Sequence, residues 1–280
     1  MTLSEMRQTL SERGLRLTKS LGQNFLHDQN QIRRIVAAAE LMKQDKVLEV
    51  GPGLGPLTKA LLQEAGEVLA IEKDARLFKI LQEQFGREQL HLQLVHGDAL
   101  EFLQREARDW NGWKMVSNLP YSVASPILVE LAQSARGPER IVATLQIEVA
   151  RRLAANAGDD DYGLLTLLVQ LDYQPAGFFK IPAACFFPEP EVDSACVTLA
   201  RRAALPLDAQ GRAIFVQLAK QAFSQRRKMM FKLLKSRWPG SELERAFRRA
   251  GISPLARAES VRVEQFVRLA AGLGMASPHE

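Results

Sequence analysis

The nine residues Val47 to Gly55, VLEVGPGLG, constrain this chain more than any other segment. Val47–Val50 is a short run rich in aliphatic residues, the pattern of a buried strand. Gly51, Gly53 and Gly55 follow, and then an amphipathic stretch, Leu57–Ala65. A strand, a glycine turn and a helix in that order leave a helix N-terminus open beside backbone that a ligand can approach closely. The spacing is G-x-G-x-G. It differs from the dinucleotide G-x-G-x-x-G and so disfavours a hydride-transfer enzyme. A glycine turn can also be a plain tight corner, so its neighbours have to decide.

Those neighbours repeat the alternation. Val68–Ile71, Leu92–Val95, Lys114–Ser117 and Arg140–Leu145 read as buried strands, with helical patterns over Ala75–Phe85 and Pro126–Ala135. Asp28 is placed to cap a helix over Gln29–Glu40, ahead of the first strand. The expected architecture is α/β, a doubly wound and mainly parallel sheet with helices on both faces. Ile147–Ala155 reads as helix and Asn156–Gly163 as loop. Ala176–Ile181 and Ala195–Leu199 are two last strand-like runs around the corner CFFPEPEVDS.

At Arg201–Asp208 the pattern turns wholly helical, which sets an expected boundary near residue 202: residues 1–202 as one domain, 203–280 as a small all-helical one. Asp208 is placed to cap Ala209–Phe223. Ser241 with Glu244 forms an expected capping box for Glu242–Ala250, ended by Gly251, and Glu259–Leu273 is the last helix. Charge divides along the same line. Residues 201–280 hold sixteen Lys and Arg against six Asp and Glu, and the first 200 hold twenty-one against twenty-six. A cationic module on a mildly acidic body suits a polyanion such as RNA or DNA, and equally suits solvated surface helices. Within it, Lys228, Lys232 and Lys235 fall at i, i+4 and i+7 and would form one helical stripe flanked by Arg226, Arg227 and Arg237.

Other classes fall away. No apolar run approaches the roughly 18 residues of a membrane span. Met1–Leu10 carries Glu5 and Arg7 and lacks an apolar signal core, so a cytoplasmic protein is expected. Cys185 and Cys196 cannot build a disulfide framework, the four histidines show no ligand spacing, and no metal is expected.

The strand ends carry the chemistry. Glu72 ends the second strand, 21 residues after Gly51, where a carboxylate can accept the hydroxyls of a ribose. Asp98 ends the third strand at the same sheet edge. One nucleoside pocket requires such convergence. The fourth strand runs into Asn118-Leu119-Pro120-Tyr121, NLPY. Motifs of this type mark S-adenosylmethionine-dependent methyltransferases that act on exocyclic amines. The N6 lone pair of adenine is delocalised into the ring, so it needs two acceptors on its N–H groups to favour a pyramidal nitrogen. Asn118 offers a side-chain oxygen and Leu119 a carbonyl, Pro120 fixes the turn, and Tyr121 offers a face for an extruded base.

KSLGQNFL, VLEVGPGLGPLT, NLPYSVASPI, TLQIEVARRLAA, YGLLTLLVQ, FFPEPEVDSACV and FSQRRK together resemble the family of ribosomal small-subunit RNA adenine dimethyltransferases, over about residues 16–270. The resemblance implies a methyltransferase-type Rossmann-like sheet with a small C-terminal helical domain. The activity it implies is S-adenosylmethionine-dependent N6,N6-dimethylation of two neighbouring adenosines, in a hairpin loop near the 3′ end of small-subunit rRNA. The small-subunit particle would be the partner and the enzyme a monomer. It implies a cofactor site of Asn24, Leu26, Gly51, Gly53, Glu72, Asp98 and Asn118. Asp98 would take the cofactor's adenine amine and Glu72 its ribose. Phe187 would lie near the target base, although on sequence alone it reads equally as a core aromatic. Arg226, Arg227, Lys228 and Lys232 would meet rRNA. After QRRK the family usually continues with Thr, Arg and Asn, where this chain has Met229, Met230, Phe231 and Lys232. The acidic loop Asp159–Asp161 would face away from RNA. A large-subunit rRNA adenine methyltransferase of the antibiotic-resistance kind and a non-catalytic RNA-binding assembly factor are the alternatives. The FFPEPEVDSA and QRRK segments argue against the first, and the intact NLPY, Glu72 and Asp98 against the second.

Overall fold

The structure is a computed structural model of the 280-residue chain. It describes residues 1–15, 23–86, 90–105, 108–203, 207–225 and 227–274. The chain divides into two compact units, Met1–Ala150 with Gln174–Arg201, and Arg151–Tyr173 with Arg202–Glu280. The simple division at residue 202 therefore becomes a discontinuous one.

In chain order the elements that build the sheet and its flanks are α1 (Leu3–Glu12), β1 (Phe25–Leu26), α2 (Gln29–Ala38), β2 (Lys46–Val50), α3 (Pro56–Glu64), β3 (Glu67–Glu72) and α4 (Ala75–Phe85). Then come β4 (Leu92–His96), α5 (Ala99–Arg105), β5 (Trp113–Asn118), α6 (Ala124–Gln133), β6 (Arg140–Gln146) and α7 (Ile147–Ala154). After α8 (Leu164–Gln170), β7 (Tyr173–Ile181), β8 (Phe186–Phe187) and β9 (Ser194–Arg201) complete the strands. The sheet order is β4-β3-β2-β5-β6-β9-β7. From β4 to β6 all pairs are parallel, and β9 returns antiparallel to β6. β2 is the switch strand, with β3 on one side and β5 on the other, and the carboxyl ends beside such a strand are where doubly wound sheets bind ligands.

The central strands β2, β3, β5 and β6 are buried on both faces, as a parallel sheet between helices requires. Val47, Val68, Val116 and Val142 join Ile32 and Ile35 of α2 and Leu57 and Leu61 of α3 in one cluster. Residues of opposite parity, Leu48, Leu69 and Met115, are also fully buried. Asp28 caps α2 as expected, accepting from the N–H groups of Asn30 and Gln31. The helix stops at Ala38, short of Glu40, which sits at φ 49°. α1 was not foreseen. Its signature is Thr2-x-x-Glu5, a reciprocal capping box.

The second unit holds α8, α9 (Ala209–Ala222), α10 (Met230–Leu234), α11 (Gly240–Ala250) and α12 (Val263–Gly274). Its core gathers Tyr162, Leu167 and Leu171 with Phe215, Phe247 and Phe266. That burial is why residues 151–173 belong with the C-terminal helices. Asp208 caps α9 through the N–H of Gly211, and Gly251 ends α11 in the left-handed conformation. Two expectations are corrected here. α11 starts at Gly240 behind Pro239, so Ser241 lies inside the first turn and no side chain caps the helix. Residues 259–262 precede α12; a short 3₁₀ turn at Ala258–Ser260 takes up part of them.

Candidate active site at the carboxyl ends of the strands

The glycine turn is shaped by the protein's own rings. Gly51 and Gly53 have φ of 69° and 62°, where only glycine rests without strain. A Cβ on Gly53 would fall 2.7 Å from the Phe25 ring, and one on Gly51 would fall 3.1 Å from Pro120. The turn is thus packed against Phe25 on one side and the proline of NLPY on the other. The N–H of Gly51 bonds to the carbonyl of Ile71 (2.9 Å), and the N–H of Gly53 donates to Glu72 Oε2 (3.1 Å). The end of β3 and the turn after β2 are one bonded unit.

Glu72 is buried, and its second oxygen accepts from the N–H of Asp74 at 2.8 Å. Burial pushes its carboxyl above the ordinary range, while those two N–H groups oppose the rise. Asp74 caps α4 and is gripped by Arg76 through Nε and Nη2, at 3.0 and 2.6 Å. Those Arg76 bonds bring its carboxyl down to about 2. Asp98 accepts from the N–H groups of Leu100 and Glu101 and pairs with Lys73 at 2.7 Å. The Lys73 bond leads the causes that hold its carboxyl low.

Asn118 ends β5. Its Nδ2 donates to the carbonyl of Asn24 at 2.8 Å, which fixes which way the carboxamide faces. Its Oδ1 is buried and finds no hydrogen-bond partner among the described residues. A buried acceptor without a donor costs about 1–3 kcal/mol, so the fold sustains an expense here that a bound donor would relieve. Leu119 follows, its N–H bonded to the carbonyl of Thr144, and the Pro120 carbonyl accepts from Val123.

Asn24, Gly51, Gly53, Glu72, Asp98, Asn118, Leu119 and Pro120 all line one cavity of about 150 Å³. Leu26, Tyr121 and Phe187 do not line it. Leu26, in β1, is part of the core and pairs with Phe186 of β8, as Phe25 does with Phe187. Tyr121 is half-buried, its hydroxyl bonded to the fully buried Ser194 of β9. Phe187 packs partly against the cluster of Met6, Leu10 and Phe25, with the Arg7 guanidinium 5.2 Å from its ring centre.

Sequence reasoning missed Gln23, Lys73, Leu77, Val123 and Ile127, which also line the cavity. Lys73 adjoins Glu72 in sequence. Gln23, whose Nε2 reaches Asp74 Oδ2 at 3.0 Å, leaves no local trace of a partner 51 residues away.

The basic stripe is a correction. α10 is only five residues long, and four of them, Met230, Phe231, Leu233 and Leu234, are buried. Met229 is extended (ψ 131°) and the Met230 N–H is taken by the Ala256 carbonyl, so Lys228 lies ahead of the helix. Lys232 stands on it and Lys235 caps its end, with its ammonium 5.0 Å from the Phe231 ring centre. Arg226 lies outside the described residues. Among the described residues no group of three or more His, Cys, Asp or Glu could hold a metal, and no helix is long and apolar enough to cross a membrane.

A family model described as ribosomal RNA adenine dimethylase matches residues 14–273. The ribosomal RNA small subunit methyltransferase A of Natranaerobius thermophilus is 36% identical, covering 95% of this chain and 94% of its own. That of Moorella thermoacetica is 39% identical over 92% and 93%. Among solved structures, the 23S rRNA methyltransferase ErmE superposes with a TM-score of 0.69 at 30% identity, covering 89% of this chain and 99% of its own. A dimethyladenosine transferase from Plasmodium falciparum gives the same TM-score at 24% identity, over 88% and 95%, and shares the fold.

Proposed function

The chain belongs to the ribosomal RNA adenine dimethylase family, an S-adenosylmethionine-dependent enzyme of rRNA, and from that premise we propose that its substrate is small-subunit rRNA. It places two methyl groups on N6 of each of two adjacent adenosines, in a hairpin loop near the 3′ end, within a small-subunit particle during ribosome assembly in the cytoplasm. Relatives named for the small subunit, at 36 and 39% identity, support that choice over the large-subunit enzyme at 30%.

The observation that carries the reading is the buried Oδ1 of Asn118, without a partner among the described residues, on a residue that lines the cavity. An adenine N6 amine brings two N–H donors. Oδ1 accepts one and the Leu119 carbonyl the other, which draws the nitrogen lone pair out of the ring. Pro120 holds that turn, and Tyr121, anchored through Ser194, offers its ring to the extruded base. Phe187 flanks the target base from β8. The methylated nitrogen is acidic enough to release its proton to water, so positioning supplies most of the rate.

The residues present fit the cofactor. A buried carboxylate at Glu72 suits ribose hydroxyls, Asp98 a ring amine, and Asn24, Gly51, Gly53 and Asn118 frame the remainder, with Leu26 packed in the core instead of on the cavity wall. When bound, the cofactor supplies an electrophilic methyl group on a sulfonium. The second unit meets the RNA backbone through Arg226, Arg227, Lys228 and Lys232, contacts that position without reading sequence. The decisive experiment maps methyl-labelled nucleotides after the purified protein meets under-methylated small subunits or naked large-subunit RNA. Dimethyladenosine in the small-subunit loop is expected. Label confined to large-subunit RNA overturns the substrate, and label nowhere overturns the activity.

A further inference from the structure

Three consecutive residues, Gln23, Asn24 and Phe25, line the pocket, and each is tied to a different residue on or beside its wall. Gln23 Nε2 donates to Asp74 Oδ2 at 3.0 Å. The Asn24 carbonyl accepts from Asn118 Nδ2 at 2.8 Å. The Phe25 ring lies against Gly53, where no larger residue fits. The first anchor ends on a fixed anion. Asp74 is 7% exposed, caps α4, and is gripped by Arg76. Its own N–H donates to Glu72, so this anchor belongs to the same bonded unit as the glycine turn.

The second anchor decides what Asn118 presents. A carboxamide has a donor end and an acceptor end of nearly the same size, and only its partners choose between them. With the Asn24 carbonyl in place, Nδ2 is engaged and Oδ1 is the end left without a partner among the described residues. If the segment shifts, Nδ2 loses its acceptor and the amide is free to turn, aiming N–H groups at an amine that also carries N–H groups. We propose that Gln23 is a positioning residue whose bond to Asp74 holds Asn24 in register, so that Asn118 offers oxygen and not nitrogen to the target amine. The inference rests on the proposed role of Asn118 as acceptor for that amine, and adds the part of the chain that sets it.

The test reverses the polarity of the latch. Gln23→Glu sets two carboxylates against each other and breaks it. In the double variant Gln23→Glu with Asp74→Asn, the new amide donates to the new carboxylate and the bond reforms at the cost of the Arg76 Nη2 bond to the same position, while Asn remains a good helix cap. Two quantities are read: kcat at saturating S-adenosylmethionine and small-subunit substrate, and the Asn118 side-chain amide signal in the unliganded ¹⁵N-labelled protein, identified by its loss in Asn118→Ala. Gln23→Glu is expected to lower kcat about tenfold, the order of one lost hydrogen bond to a charged group, and to abolish slow exchange of the Asn118 amide protons. The double variant is expected to restore both. Should Gln23→Glu melt early, Gln23→Ala removes the bond without adding charge and gives the same amide readout. The proposal is overturned if a folded single variant keeps its kcat and amide signal, or if kcat falls with the amide signal unchanged and no rescue. A wild-type protein that methylates no RNA would instead sink the proposed function, and the amide signal would still test the latch.

Discussion

The pocket and the basic segment at residues 227–235 carry their charges in opposite ways. At the pocket, Glu72 and Asp98, with Asp74 beside them, each accept from main-chain N–H groups of the turn or helix next to them. Their positions are therefore fixed by backbone. Arg227, Lys228 and Lys232 are exposed and make no ion pair among the described residues. The contrast teaches what each region can discriminate. Fixed acceptors reward a ligand with donors in the right directions. Cations on flexible stems reward any chain of phosphates, and salt weakens them.

Four experiments break or sharpen this contrast. Asn118→Ala removes the unpartnered acceptor and is expected to cut kcat by about 10²–10³-fold, as does loss of one preorganised transition-state partner, with RNA binding retained. Near-normal turnover in single-turnover assays would remove Asn118 from the chemistry. Glu72→Ala strips a charged acceptor and is expected to weaken S-adenosylmethionine binding by roughly 1.5–3 kcal/mol; an unchanged Kd by calorimetry rejects the ribose role. Replacing Lys228, Lys232 and Lys235 with Gln is expected to make the slope of log K against log salt shallower by about 2, at roughly 0.7–0.9 per phosphate contact. An unaltered slope returns the segment to a merely solvated surface.

The fourth experiment concerns Glu49, fully buried on β2, where burial raises its carboxyl to about 8. Between its unfolded value near 4.5 and about 8 the folded state holds the proton more tightly, so stability declines as pH rises through that window and levels off above it. Glu49→Gln lacks that decline. The gap in melting temperature between variant and wild type is expected to widen from pH 5 to pH 8, and a constant gap rejects the raised carboxyl.

Much of the fold was legible because its signals are local. Ala75–Phe85 is the helix read from periodicity, Asp28 and Asp208 cap where their side chains allow, and Gly251 stops α11. The strand ends were legible too, since a motif at the end of a strand inherits its place from the sheet. What escaped depends on distant partners. Gln23 meets Asp74 across 51 residues, and Phe25 reaches Gly53, so the glycines serve the protein's own packing as well as any ligand. The lysine stripe failed because spacing alone assumes an unbroken helix. The buried side chains of Met230, Phe231 and Leu234 and the Met230–Ala256 bond shorten α10 to five residues. Met230 and Phe231 serve that core.

The discontinuous second unit has a practical consequence for anyone who would cut or graft this chain. A fragment ending at residue 202 takes Tyr162, Leu167 and Leu171 away from Phe215, Phe247 and Phe266, leaving sticky apolar surface on both products. A clean exchange of the helical module between relatives therefore needs an internal insertion at residues 151–173 transplanted together with the tail.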